Sequence, residues 1–142
     1  MIKTTIKPAS LRIFVATGLL LVALGDAQAG VVVIGHANLG KLDSRTMQRI
    51  YTGKVVEVDG VNIIAVNIES GPLRERFLHD FLNQSGEKYK AYWTVRRYIG
   101  KGLPPRELPS AEEVVRFVQS TPGAIGYIDE GDVTPGLNVI AR

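Results

Sequence analysis

The feature of this sequence that most constrains its fold is the segment at residues 61–82, VNIIAVNIESGPLRERFLHDFL. It begins with an apolar, largely β-branched run at 61–66, which is typical of a buried strand. Residues 69–72 interrupt the run; Ser70 there is a favoured N-cap, and Pro72 is tolerated in the first turn of a helix. Apolar side chains then recur at helical spacing, at Leu73, Phe77, Leu78, Phe81 and Leu82. The segment predicts a strand, a turn and an amphipathic helix.

The predicted turn at Ser70 has the geometry of an anion-binding site. A helix N-terminus combines free amide donors with the positive end of the helix dipole. Arg74 and Arg76 lie in the first turns of the predicted helix, where cations are unfavourable unless an anion neutralises them. Glu69 and Glu75 offer a competing explanation, which is local neutralisation within the chain. The turn is also interpretable as an ordinary strand–helix connection, and the residues alone leave these alternatives open.

The first 29 residues have the pattern of a secretory signal peptide. Three cations precede an apolar run at 13–24 that is too short to span a bilayer comfortably, and a small-x-small cleavage site ends at Ala29. We expect cleavage after Ala29, which makes residues 1–29 a signal peptide and residues 30–142 a mature domain in the periplasm. An uncleaved membrane anchor is the alternative.

Charge and composition bound what the mature domain is. Removing the leader takes away three of the 17 basic and one of the 14 acidic residues, so the net charge falls from +3 to +1. The basic isoelectric point therefore does not argue for a nucleic-acid partner. Because the sequence contains no Cys, the 113 residues that remain of 142 after removing 29 must fold around one core without disulfides.

The rest of the chain alternates between strand and helix patterns. Strands are predicted at 31–34, 124–128 and 137–141, and helices are predicted after Ser44, at 87–98 and after the Ser110–Glu113 capping box. This alternation predicts an α/β fold with three layers and a largely parallel sheet. Ligands in such sheets bind beyond the carboxyl ends of the strands, which is where the Ser70 turn falls.

Three shorter segments complete the local predictions. Asp59-Gly60 joins two apolar runs and indicates a β-hairpin. The proline-rich segment 100–109 predicts a stiff loop. Aromatic and basic residues at 88–101 are similar to a nucleic-acid platform, but export favours the alternative that the aromatic side chains pack on the sheet while the cations lie in solvent. We therefore expect no nucleic-acid partner.

The sequence offers little catalytic or metal-binding chemistry. His36 and His79 have no second histidine at ligand spacing, and no G-x-S-x-G nucleophile motif is present. Asp129, Glu130 and Asp132 lack the twelve-residue pattern and closing glutamate of a calcium loop. We expect no enzyme activity, no metal and no cofactor.

Several motifs in order along the chain resemble the substrate-binding proteins of ABC phosphate transporters, and in particular short exported proteins similar to one lobe of them. These motifs are Met47-Gln-Arg-Ile-Tyr-Thr-Gly-Lys54, the stretch 67–77 with its Ser70-Gly71, Tyr92-Trp93, Gly100-Lys-Gly, Pro104-Pro-Arg-Glu107 and Pro122-Gly-Ala-Ile-Gly-Tyr127. The resemblance implies a single lobe of a type II periplasmic-binding-protein-like fold, α/β with a mostly parallel or mixed sheet. It also implies that Asp59-Gly60 is a loop leading into one strand, and on that basis we expect a loop instead of a hairpin.

The resemblance extends to part of the family's binding site. In phosphate-binding relatives the helix tip reads Ser-Gly-Thr, and Ser70 and Gly71 match its first two positions. Pro72 stands in place of the threonine and removes one hydroxyl and one amide donor. Val66 and Ile68 stand where the family has an arginine and an acidic residue. The expected oxyanion ligands are the hydroxyl of Ser70, the amides of Gly71 and Leu73, and the guanidinium of Arg74.

These observations predict a periplasmic solute-binding-like protein that binds phosphate or a similar oxyanion weakly for an ABC-type phosphate uptake system. The alternative is a periplasmic interaction module without a ligand, which docks on a membrane transporter or a sensor protein. A homodimer formed through the uncovered cleft face is a further expectation.

Overall fold

The computed structural model describes residues 30–142, so the predicted signal peptide and its cleavage site lie outside the described residues. The strands are β1 (Val31–Gly35), β2 (Glu57–Val58), β3 (Val61–Asn62), β4 (Ile64–Ile68), β5 (Arg106–Leu108), β6 (Ala124–Asp129) and β7 (Asn138–Ala141). The helices are α1 (Ser44–Tyr51), α2 (Pro72–Leu82), α3 (Gly86–Tyr98) and α4 (Ala111–Ser120), with a short 3-10 turn at Glu130–Asp132.

Five strands form one mixed sheet in the order β5-β4-β6-β1-β7. The pairs β5–β4 and β4–β6 are parallel, whereas β1 is antiparallel to both of its neighbours, β6 and β7. Four of the five strands therefore run in the same direction, with β1 reversed between β6 and β7. The predicted α/β fold with a mostly parallel or mixed sheet is confirmed.

Helices cover both faces of this sheet, which gives the predicted three layers. Alternate residues of β1 show the division: Val31 and Val33 join the core beneath α1, α2 and α3, whereas Val32 and Ile34 join the core beneath α4. A period of two along a strand places successive side chains on opposite faces. Both cores are made by residues 30–142, so this part of the chain is a folded unit with its own interior.

Close packing of α4 explains the glycine in β6. A Cβ added to Gly126 would lie 2.5 Å from Cγ1 of Val114 on α4. A glycine at this position of the strand therefore permits the close approach of α4.

The hairpin at Asp59-Gly60 is present, and the loop expected from the family resemblance is wrong. Strands β2 and β3 pair antiparallel, with Glu57 opposite Asn62 and Val58 opposite Val61. Asp59 and Gly60 both have positive φ, of 51° and 79°. That is the backbone of a two-residue hairpin turn, for which Asp-Gly is a preferred sequence. The local signal was therefore the correct one.

The continuous strand predicted at 61–66 is also corrected. Ile63 belongs to no strand and separates β3 from β4. The strand that joins the main sheet is β4, at Ile64–Ile68. Ile64 is exposed, whereas Val66 and Asn67 are buried. The strand thus carries a buried polar side chain next to the turn.

Two predicted N-caps are shifted by one residue, and a third is confirmed. Gly71, and not Ser70, is the N-cap of α2, without a side-chain hydrogen bond. Asp43 caps α1 in place of Ser44, and its carboxylate accepts from the amide of Thr46 at 2.6 Å. Ser110 caps α4 as predicted and accepts from the amide of Glu113. All three helices begin within a residue of the predicted positions.

The proline-rich segment 100–109 contains a strand that the sequence did not indicate. This strand, β5, pairs with β4: Arg106 lies opposite Val66, and Leu108 lies opposite Ile68. Only Leu108 of the three β5 residues is buried. Because β5 is an edge strand next to the carboxyl end of β4, it brings Glu107 beside the Ser70 turn.

Candidate functional site

The Ser70 turn lies at the carboxyl end of β4 and opens into a cavity of about 510 Å³. Ser70 is exposed, Gly71 and Leu73 are half-buried, and Arg74 is buried. Among residues 30–142, no group accepts a hydrogen bond from the amides of Gly71 and Leu73. The structure brings Ser70 and Arg74 together in the wall of this cavity, whereas Gly71 and Leu73 are not among its lining residues.

Arg74 already has a carboxylate partner within the chain. Its Nη1 lies 2.5 Å from Oε1 of Glu107 and also donates to the carbonyl of Ile68 at 3.3 Å. The guanidinium lies over the ring of Tyr89, 5.7 Å from the centroid. The side chain of Arg74 is 10% exposed and that of Glu107 is 50% exposed. An incoming anion therefore meets a guanidinium that is partly neutralised.

A chain of buried hydrogen bonds supports the turn from below. The hydroxyl of Tyr127 donates to Oδ1 of Asn67 at 3.1 Å and accepts from the amide of Ile68 at 3.2 Å. Nδ2 of Asn67 donates to the hydroxyl of Tyr89, which in turn donates to the carbonyl of Tyr51. Burial raises the pKa of Tyr51, Tyr89 and Tyr127, so all three hydroxyls remain protonated donors at neutral pH. The network fixes the end of β4.

The cavity has balanced charges. Its lining includes three cations and three carboxylates: Arg74, Lys90, Arg97, Glu75, Glu87 and Glu107. Arg97, from the aromatic and basic stretch at 88–101, lines the same cavity as Ser70 and Arg74. A mobile anion here must compete with carboxylates of the protein itself.

Arg76 has a different environment from Arg74. Its Nη2 lies 2.9 Å from Oδ2 of Asp129, at the end of β6. The amide of Gly131 and the guanidinium of Arg76 hold the pKa of Asp129 below its ordinary value. A second cavity, of about 760 Å³, lies on this side of α2 and contains neither Ser70 nor Arg74. The presence of Arg76 near the helix N-terminus is thus explained by Asp129 and needs no bound anion.

The two histidines do not form a reactive centre with each other. His79 pairs with its neighbour Asp80 on the exposed face of α2, whereas His36 pairs with Asn38 after β1. In the part of the chain that the structure describes, no cluster of three His, Asp or Glu side chains could hold a metal ion. No helix within residues 30–142 is long and apolar enough to cross a membrane.

The sheet order, the helices on both faces and the turn at the carboxyl end of β4 define a three-layer α/β fold. No family model and no curated protein sequence matches the chain. Solved structures do match, and two of the three given below are described as proteins of phosphate transport.

The first is a structure with bound phosphate from Clostridium perfringens, described as a phosphate ABC transporter substrate-binding protein (TM-score 0.60, 20% identity, 79% of this chain and 44% of that chain). The second is an ABC-type phosphate transport receptor from Vibrio cholerae (TM-score 0.53, 16% identity, covering 79% of this chain and 45% of that chain). The third is PstS from Borrelia burgdorferi (TM-score 0.58, 17% identity, covering 80% of this chain and 47% of that chain).

These similarities establish the fold, and the chain resembles a single lobe of such proteins. It spans less than half the length of each of the three matched structures. The first two are described as a substrate-binding protein and a transport receptor, and none of the three is described as an enzyme. The likeness inferred from the ordered motifs is therefore confirmed at the level of the fold.

Sequence reasoning did not connect four charged members of the cavity with the turn; they are Glu87, Lys90, Arg97 and Glu107. Glu107 was recognised only as part of the Pro-Pro-Arg-Glu motif, without a role. It is 33 positions from Arg74 along the chain, so no local pattern could connect them. The parallel pairing of β5 with β4 is what brings the two side chains together.

Proposed function

We propose that this protein is a solute-binding-like domain whose Ser70–Arg74 turn binds a phosphate-like oxyanion weakly. The observation that carries the proposal is that Ser70 and Arg74 share one open cavity with two further cations, Lys90 and Arg97. The unpaired amides of Gly71 and Leu73 supply donors at the positive end of the α2 dipole. A phosphate-bound structure of similar fold supports the choice of ligand.

The affinity should be low because the bound anion competes with Glu107 and stays largely in water. Each charge pair in such a setting contributes about 1 kcal/mol or less. We therefore expect a dissociation constant on the order of millimolar. Tighter binding requires a partner or a second copy that closes over the turn and excludes water.

Phosphate titrated to tens of millimolar should shift the amide resonances of Ser70, Gly71 and Leu73. Arg74→Ala should abolish these shifts because it removes the guanidinium at the turn. Glu107→Gln should tighten binding about fivefold, since it removes a half-exposed competitor worth about 1 kcal/mol. Isothermal calorimetry and NMR titration at low and high salt measure both effects.

Arg116→Ala is the matched control, because Arg116 is exposed on α4, which covers the other face of the sheet. It should leave the titration unchanged, whereas Arg97→Ala should weaken it. If phosphate produces no shift at the turn in the native chain or in Glu107→Gln, the turn is only a connection between β4 and α2.

One observation favours a second function, an interaction module that docks on a transporter or sensor protein without a ligand. The ion pair between Arg74 and Glu107 already engages the guanidinium that an oxyanion would need. With the turn neutralised internally, the open face beside it is available for a protein partner or a second copy of the chain. A negative phosphate titration places this function first.

We also propose export to the periplasm with cleavage after Ala29, in the service of a phosphate uptake system of the ABC type. The n-, h- and c-regions of residues 1–29 support export. Intact-mass analysis of the periplasmic fraction should find a chain that begins at Gly30. A product that retains Met1 in the inner membrane would contradict the proposal.

A further inference from the structure

The outer end of α3 exposes apolar side chains that the fold leaves uncovered. Of the six large hydrophobic residues exposed in the described part of the chain, four lie between positions 95 and 103: Val95 (59%), Tyr98 (91%), Ile99 (56%) and Leu103 (72%). At 3.6 residues per turn, Val95 and Tyr98 lie roughly opposite Trp93, which faces the core. The helix is thus apolar on two sides, and only the side with Trp93 packs in the core.

The segment that carries these side chains is also basic. Residues 88–106 contain six basic residues and no acidic one. Two of the six are engaged elsewhere, since Arg96 lies over the rings of Tyr92 and Trp93 and Arg106 lies over Phe117. The other four are exposed, and none takes part in an ion pair within residues 30–142; they are Lys88, Lys90, Arg97 and Lys101.

The helix dipole explains only part of this charge. Cations are favourable in the last turn of a helix, which accounts for Arg97. Lys88 lies in the first turn, where a cation is unfavourable, and Lys101 lies beyond the helix end. The nearest acidic residues in the sequence are Glu87 and Glu107, which flank the segment 88–106 on either side. We call the four apolar and four basic side chains together the apolar–basic patch; two of its cations, Lys90 and Arg97, also line the cavity at the Ser70 turn.

We propose that the apolar–basic patch docks on an anionic lipid surface. Lys and Arg meet lipid headgroups while exposed aliphatic side chains enter the boundary of the acyl region, and Tyr is suited to that boundary. A stable protein–protein interface uses about 20–30 residues on each side, which is far more than the eight of this patch. A peripheral lipid contact needs only a few inserted side chains with cations beside them.

The orientation of α3 is compatible with surface contact. Tyr89 and Trp93 hold the opposite side of the helix in the core, and Trp93 donates from its indole nitrogen to the carbonyl of Tyr51. The loop after the helix is also fixed to it, because the amide of Lys101 donates to the carbonyl of Arg96 at 2.8 Å. The patch is therefore presented on a rigid support and does not need to fold on binding.

Sedimentation with lipid vesicles tests the proposal on the chain that begins at Gly30. We expect at least tenfold stronger partitioning to vesicles of phosphatidylcholine with about 30% phosphatidylglycerol than to pure phosphatidylcholine, with a decrease at high salt. The double variant Tyr98→Ser/Leu103→Ser should lower partitioning about tenfold. Both side chains are exposed, so circular dichroism should show an unchanged fold.

A pair of charge variants separates the patch from net charge alone. Lys101→Gln should weaken partitioning about threefold to fivefold, whereas Arg116→Gln, with the same change in net charge, should not. Equal partitioning to neutral and anionic vesicles overturns the proposal, and so does wild-type partitioning by Tyr98→Ser/Leu103→Ser. The patch is a protein contact instead if the chain does not bind vesicles and one of two further results is found. The first is a dimer that Tyr98→Ser/Leu103→Ser disrupts, and the second is binding to polyglutamate.

Discussion

Phe77→Ala should lower the free energy of unfolding by about 3–5 kcal/mol, the largest loss that we expect from a single truncation in this chain. Phe77 is fully buried. Its ring stacks on Tyr127, with centroids 3.8 Å apart, and packs edge-on against Tyr51 at 4.7 Å. Truncation removes this aromatic contact and leaves a cavity between α2 and the sheet. Urea denaturation followed by circular dichroism measures the change.

Phe117→Ala is the matched control, because it makes the same truncation on α4. Phe117 is only partly buried, beneath the guanidinium of Arg106. We expect a loss of about 1 kcal/mol there. Equal losses from the two variants would show that the core beneath α2 is not the dominant source of stability.

Asn67→Leu should destabilise the protein by about 2–4 kcal/mol, although it replaces a polar side chain with an apolar one in the core. Asn67 is 1% exposed and makes hydrogen bonds with the hydroxyls of Tyr127 and Tyr89. Its replacement deprives two buried hydroxyls of a partner, and each loss costs about 1–3 kcal/mol. Urea denaturation again gives the free energy of unfolding.

The control for this variant is Asn62→Leu, at an exposed position of the β2–β3 hairpin. It should change stability by less than about 0.5 kcal/mol. If Asn67→Leu proves neutral or stabilising, the hydrogen-bond network is not a determinant of stability, and hydrophobic burial at this position outweighs it.

Local sequence chemistry predicted the elements whose causes are local. The Ser110 capping box and the Asp59-Gly60 turn each depend on residues within a few positions of one another. The hairpin also shows how a resemblance can mislead, since the expectation taken from the family replaced a correct local prediction. Positive φ at both turn residues is what the Asp-Gly pair favours.

Strand pairing across long separations was the part that local patterns could not supply. Segment 106–108 is only three residues long, lies between two prolines and has one buried residue. Neither its length nor an alternation of apolar and polar residues therefore indicates a strand. The candidate site shows the same limit. Ser70, Gly71, Leu73 and Arg74 were recognised by spacing, but the partner of Arg74 depends on how β5 lies beside β4. The balance of charges in the cavity is therefore a tertiary property.

The position of β1 has a consequence for the order of events during folding. Val31 lies opposite Asp129, and Gly35 lies opposite both Ile125 and Asn138. These pairs join regions of the chain that are separated by about ninety residues or more, and loop closure of that kind slows folding. The middle of the sheet cannot close until residues 124–141 are available. Until then the backbone groups on both edges of the apolar strand β1 lack their partners in β6 and β7. A chaperone that holds the unfolded chain would protect it from aggregation.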